Sequence, residues 1–133
     1  MSKLLERLRD PARSGVYRVT RADELLDALQ GSSLALARID LRRQPVFDAF
    51  SRALGFPDWF GRNWDALEDC LTDLSWRPAE GYVLLLEGDP GSGMLVDVLE
   101  AAAAFWAGQG KPFFAVFVDP GKRLALKDLF REA

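Results

Sequence analysis

The stretch that decides the fold runs from Tyr82-Val83-Leu84-Leu85-Leu86-Glu87, through Gly88-Asp89-Pro90-Gly91-Ser92-Gly93 and the apolar run Met94–Ala107, to Phe113-Phe114-Ala115-Val116-Phe117-Val118. Its first and last segments are short and continuously apolar, as suits strands buried on both faces. The segment between them is too long for a strand and stops at Gly108 and Gly110, so it reads as a helix. A strand, a helix and a second strand in that order predict a parallel sheet covered by helices.

Upstream, Leu34–Leu41 (LALARIDL) supplies another buried strand. Pro45–Leu54 reads as a helix with proline in its first turn and Gly55 just past its end, the usual asymmetry of helix termini. Gly55–Asn63 is a loop, and Trp64–Leu74 is a second helix closed off near Pro78. Towards the N-terminus, Lys3–Arg9 reads as a short amphipathic helix ended near Pro11, Val16–Val19 as a short strand, and Arg21–Leu29 as a helix stopped at Gly31. A final helix is expected over Leu124–Arg131. The expected class is therefore α/β, with a parallel sheet of three strands, or four if 16–19 joins it, and helices packed over it.

The chain has 133 residues, which fits one domain. A chain of this size buries roughly two-thirds of its unfolded surface and needs neither disulfide nor metal to hold it. Apolar residues make up 49% and charged residues 28%, ordinary for a globular protein. Cys70 is the sole cysteine, so no internal disulfide can form and a reducing compartment is expected. Met1–Asp10 carries five charges and no apolar core, unlike a secretory signal. The longest apolar runs, Tyr82–Leu86 and Ala101–Ala107, are too short to span a bilayer. These features predict a cytoplasmic protein with no membrane partner. The net charge of −3 argues against a nucleic-acid binder. Histidine is absent, which removes the commonest general base and the commonest zinc ligand. Neither a catalytic residue, a metal site nor a cofactor is expected.

Negative charge is concentrated in one place. Between Asp58 and Asp73, five acids (Asp58, Asp65, Glu68, Asp69, Asp73) face one base, Arg62, for a local charge of −4 in a chain of −3. On a helical wheel, Leu67, Leu71 and Leu74 form the core stripe with Cys70 beside them. Asp65, Asp69 and Asp73 follow one another at i, i+4, i+8 on the opposite face, flanked by Glu68, with Trp64 at the border. Such a row is unfavourable for the helix. Aspartate is a poor helix former, and like charges at i, i+4 repel. Asp65 gains from the helix dipole near the N-terminus, but Asp73 near the C-terminus does not. Two readings stand: a solvated polar face, or a face kept acidic to bind something basic.

The preceding loop, Gly55-Phe56-Pro57-Asp58-Trp59-Phe60-Gly61-Arg62-Asn63, sharpens the choice. Asn63 is placed to cap the helix. Gly61 permits a left-handed turn or the close approach of another backbone. Trp59 and Phe60 are adjacent and cannot easily both face the core, so one is expected at the surface, where an aromatic beside acids suits a binding hot spot.

The run Gly61-x-Asn63-x-Asp65-Ala66-Leu67-x-Asp69-Cys70-Leu71-Thr72 resembles the barstar family, the intracellular inhibitors of barnase-type ribonucleases. The likeness is dense over 54–72 and looser from 34 to 118. On it, residues 34–118 form the core of a single barstar-like domain spanning 1–133, 1–33 are an N-terminal extension, and 119–133 a tail helix. It implies a non-enzymatic chain, a monomer when free, that blocks a basic ribonuclease in a bacterial antitoxin or immunity role. In the family, the carboxylates of the acidic helix stand in for RNA phosphates. Carried over by position, the contacts would be Trp59, Gly61, Asn63, Asp65 and Asp69, with Asp69 deepest. Trp64, Glu68, Thr72 and Asp73 complete the expected partner-binding set. Cys70 would be a buried helix residue. The chain departs from the pattern at Glu68, where the best-known member has tryptophan, and at Phe105, which falls near an acid of that member's penultimate helix.

Two other readings compete with this one: a binding module for a different toxin nuclease or regulatory protein, and a magnesium-dependent enzyme using Asp65 and Asp69 as oxygen ligands. The segment Gly88–Gly93 occupies the place of a phosphate loop, but Met94 and Leu95 stand where Lys and Ser/Thr are required, so it reads as a turn. The pairs Arg42-Arg43 and Lys122-Arg123 read as solvated loop charges.

Overall fold

A computed structural model describes residues 3–130. Its strands are β1 (Gly15–Val19), β2 (Ala35–Asp40), β3 (Tyr82–Glu87), β4 (Phe113–Val118) and β5 (Lys127–Asp128). The helices are α1 (Lys3–Leu8), α2 (Asp23–Leu29), α3 (Val46–Leu54), α4 (Trp64–Leu71) and α5 (Gly93–Gly108), with a 3-10 turn at Pro11–Arg13. All strand pairs are parallel, in the order β2-β3-β4-β1-β5.

The sheet therefore has five strands, not three or four. β1 does more than extend the edge: it lies between β4 and β5, with Gly15–Val19 in register with Phe114–Val118. The central strands are sealed on both faces, which explains their unbroken apolar sequence. Leu84, Leu86, Phe113, Ala115 and Phe117 point towards α3, α4 and α5. Val83, Leu85, Phe114 and Val116 point the other way, onto Leu8 of α1 and Leu25 and Leu29 of α2. Residues before 34 supply one strand and the helices that, with Leu34 and Leu129, cover Val83, Leu85, Phe114 and Val116 on that sheet face.

The helix expected at Leu124–Arg131 does not form over its described residues; Arg131 lies outside them. Leu124 and Leu126 pack on the α3–α5 side, whereas Leu129 is buried on the α1–α2 side. A segment that must serve both faces crosses the sheet edge extended. Lys127 and Asp128 pair with Tyr17 and Arg18, and the Asp128 carboxylate accepts from Arg18 Nε at 2.9 Å. These tertiary contacts override a weak helical preference. No helix of the described residues is long and apolar enough to cross a membrane.

Candidate functional site

Helix α4 is fixed from three directions. Its inner face, Leu67, Cys70 and Leu71, is fully buried, worth about 1.5–3 kcal/mol for each large apolar side chain. At its C-terminal end, the Trp106 indole of α5 donates to the Leu71 carbonyl at 2.7 Å. At its start, Asn63 adopts an extended conformation and its Oδ1 accepts the Ala66 amide at 2.8 Å, the expected cap.

The helix is shorter than its apolar spacing suggests, ending at Leu71 with Thr72 as C-cap. The Thr72 hydroxyl donates to the Glu68 carbonyl at 2.8 Å. The chain then turns through Leu74, whose φ is +49° and whose amide reaches back to the Cys70 carbonyl at 3.1 Å. That is a left-handed helix stop built on leucine rather than glycine, held by burial of the leucine at 1% exposure. Asp73 consequently lies beyond the helix, so the predicted row of three aspartates is a helical pair, Asp65 and Asp69, followed by an exposed Asp73 in the turn.

Asp65, Glu68, Asp69 and Asp73 are all exposed. None of them is in an ion pair among the described residues. The one base of the segment, Arg62, is directed away from them to the carboxylate of Asp48 on α3. The acidic face thus has no internal counter-ion. Sequence reasoning missed this pairing because Asp48 belongs to another helix and no local spacing announces it.

In the loop, Phe56 is buried and Phe60 packs edge-on to it, with centroids 4.8 Å apart, while Trp59 is 62% exposed. Trp59 meets Trp76 edge-on at 6.4 Å, and the Trp76 indole donates to the Leu54 carbonyl at 3.0 Å. Trp76, unremarked in the sequence, is the backing that holds Trp59 outward. Gly61 does not carry the left-handed turn; Arg62 does, with φ +53°. The role left to Gly61 is close approach: a Cβ there would lie 3.3 Å from Asn63 Nδ2 and 3.5 Å from the Ala66 methyl, so a side chain would press on the helix cap. Trp64 is half-buried and packs edge-on against Phe47 at 4.9 Å. Phe105 on α5 is 41% exposed.

Burial pushes the Cys70 thiol above its usual range, and the Asp69 and Asp73 carboxylates push it further. A thiol so placed stays protonated and unreactive near neutrality. Among the described residues no three Asp, Glu or Cys side chains gather into a cluster able to hold a metal ion. What the face offers chemically is a set of acceptors, rigidly mounted and unneutralised, beside one exposed indole.

A family model described as Barstar (barnase inhibitor) matches residues 33–118. The match spans β2 to β4 and contains every residue of the acidic face, but excludes α1, β1, α2 and β5. No curated protein matches the chain.

Proposed function

Because the chain belongs to the barstar family, we propose that it is an intracellular protein inhibitor of a barnase-type ribonuclease, which it blocks by placing α4 and the loop 55–63 in the enzyme's basic active site. One observation carries this reading. Asp65, Glu68 and Asp69 stand exposed and unpaired on a helix whose other face is locked into the core. A nuclease cleft is lined with cations that hold phosphates, and an acidic surface steers towards such a cleft and docks into it. Barnase–barstar is itself the reference case for this physics, so the magnitudes drawn from it are not independent support.

Asp69, one turn along from Asp65, takes the central position, with Asn63, Gly61 and Thr72 around it and Trp59 as the apolar anchor. Glu68, Asp73 and Trp64 line the rim. Titrating a barnase-type ribonuclease with the protein and with Asp69→Ala tests the assignment. The variant is expected to fold normally yet bind more weakly by about 2–5 kcal/mol, as when one partner of a desolvated charge pair is removed. Equal inhibition by both proteins overturns the role of Asp69. A partner nuclease of different active-site shape is favoured by Phe105, which presents an exposed ring on α5 where the resemblance leads one to expect an acid. A nuclease that prefers Phe105→Glu over the native chain would mark the native partner as a different enzyme.

A further inference from the structure

The two edges of the sheet are unlike. β5 closes one of them with two residues, and a short edge strand is one way a fold keeps other chains from pairing with it. β2 forms the other edge over six residues, Ala35–Asp40, and pairs only with β3. It contains no proline, so each of its residues keeps an amide donor. The Ala35 amide donates to the Gly81 carbonyl at 2.9 Å and the Leu41 amide to the Glu87 carbonyl at 2.8 Å. Backbone groups along a strand alternate in direction, so residues 35, 37, 39 and 41 turn theirs to β3, whereas those of Leu36, Arg38 and Asp40 point away from the sheet. Among the described residues nothing hydrogen-bonds to these three amides and carbonyls.

The side chains along this edge carry a row of ion pairs. Arg38 meets Glu87 at 3.4 Å, Glu87 meets Arg42 at 3.4 Å, and Arg42 meets Asp40 at 3.0 Å. The row is neutral and has two open ends, one of each sign. Arg38 reaches Glu87 through Nη2, and its side chain is 59% exposed. At the other end, the Arg42 amide and Nε both donate to Asp40 Oδ1, which leaves Oδ2 without a donor among the described residues.

We propose that this edge pairs with β2 of a second copy of the chain, antiparallel about a two-fold axis at Ile39, and so joins the two sheets into one. A strand edge that pairs with itself does so through an isologous two-fold contact, which makes the two strands antiparallel. With the axis at Ile39, Arg38 of each copy lies directly opposite Asp40 of the other. The two residues exchange backbone bonds through the groups that point outwards, and guanidinium and carboxylate meet beside them as a cross-strand pair. The cationic end of each row thereby joins the anionic end of the other. Neighbouring registers lack this match: an axis at Arg38 sets guanidinium against guanidinium, and an axis at Ala37 sets Arg38 against Leu36. The second copy is therefore the occupant whose charges fit this edge, and it replaces the monomer that the family resemblance implies. None of these residues belongs to α4 or the loop before it, so the pairing stands apart from the inhibitor reading.

Sedimentation of the full chain from micromolar to millimolar concentration tests the pairing and should show a reversible monomer–dimer equilibrium. Over the same range, amide hydrogen exchange should slow at Arg38 and Asp40 and stay constant at Ala37 and Ile39. Arg38→Glu and Asp40→Arg each set like charges opposite one another, and each variant alone should be monomeric throughout. Mixed in equal amounts, the two variants are complementary at both contacts and should dimerise with each other, which a merely structural role of either residue would not produce. Arg38→Gln, a milder change at an exposed position, should weaken the native dimer several-fold. A native chain that stays monomeric at millimolar concentration, a charge-reversed variant that still dimerises alone, or a mixture that remains monomeric overturns the proposal.

Discussion

If the acidic face is kept for binding, removing a charge from it should make the free protein more stable, and the gain should depend on position along α4. Asp69 and Asp65 stand at i, i+4 and repel by about 0.2–0.5 kcal/mol. Asp69 also sits in the last turn of an eight-residue helix, where a carboxylate faces the negative end of the dipole at a cost of about 0.3–1 kcal/mol. Asparagine keeps the shape and is no better a helix former, so Asp69→Asn isolates the charge. The two terms together predict that it stabilises the fold by about 0.5–1.5 kcal/mol. Asp65→Asn relieves the same repulsion but forfeits a favourable place in the first turn, so it should leave stability unchanged or lower it by at most about 0.8 kcal/mol. Urea unfolding, which keeps ionic strength low, reads both. In 1 M salt the difference between the variants should shrink, because the screening length there falls to about 3 Å. In the nuclease titration, Asp69→Asn should lose potency alongside Asp69→Ala. A destabilised Asp69→Asn, or equal effects at positions 65 and 69, would refute the claim that this face is held acidic against the helix's own preference.

Three further expectations concern the scaffold. Asn63→Ala removes the cap from α4 and should cost about 0.5–2 kcal/mol in urea unfolding, while loosening the amides of Asp65 and Ala66 in hydrogen exchange. Trp106→Phe leaves the Leu71 carbonyl buried without its donor, and about 1–3 kcal/mol of stability should go with it; a loss no larger than that of an exposed Phe105→Leu control would show that the indole bond does not hold the end of α4. Asp40 is held below the ordinary carboxylate range by hydrogen bonds from Arg42. Its contribution is therefore present above that range and is lost as the pH falls through the lowered value. A carboxyl-carbon NMR titration should place the Asp40 midpoint below the ordinary one, and Arg42→Ala should raise it part of the way back, since the amide at position 42 still donates to it.

The parts of the molecule readable from the sequence are those where one short-range cause dominates. Strands β3 and β4 are apolar throughout because they are buried on both faces, and that property survives any arrangement of the rest. Asn63 caps α4 because capping needs only residues three apart. Residue type allows either a left-handed turn or a close approach at Gly61, and the turn falls instead on Arg62, whose side chain is drawn to Asp48 on another helix. A distant ion pair has no local signature. The same holds for residues 124–130, where sequence spacing suits a helix but the leucines must reach opposite faces of the sheet.

On the proposed inhibitor role, this division bears on where binding specificity would be written in this chain. The motif of α4 and its loop fixes where the carboxylates stand, a feature local enough to be shared across a family. The features around them are not local. Trp76 props Trp59, Asp48 withdraws Arg62, and Phe105 presents its ring from α5. A change at any of these alters what surrounds the acidic face without altering the motif. Discrimination between partner nucleases of similar cleft chemistry is a difference of affinities, and such a difference is more readily set by these surroundings than by Asp65 and Asp69, which every basic cleft would attract alike. Exchanging Asp69 should therefore weaken inhibition of all susceptible nucleases by a similar factor, whereas Trp76→Leu and Phe105→Glu should each change their ranking. Inhibition constants against two or more barnase-type enzymes decide the matter: a ranking that moves with Asp69 and stays fixed under the other two would place specificity in the motif itself.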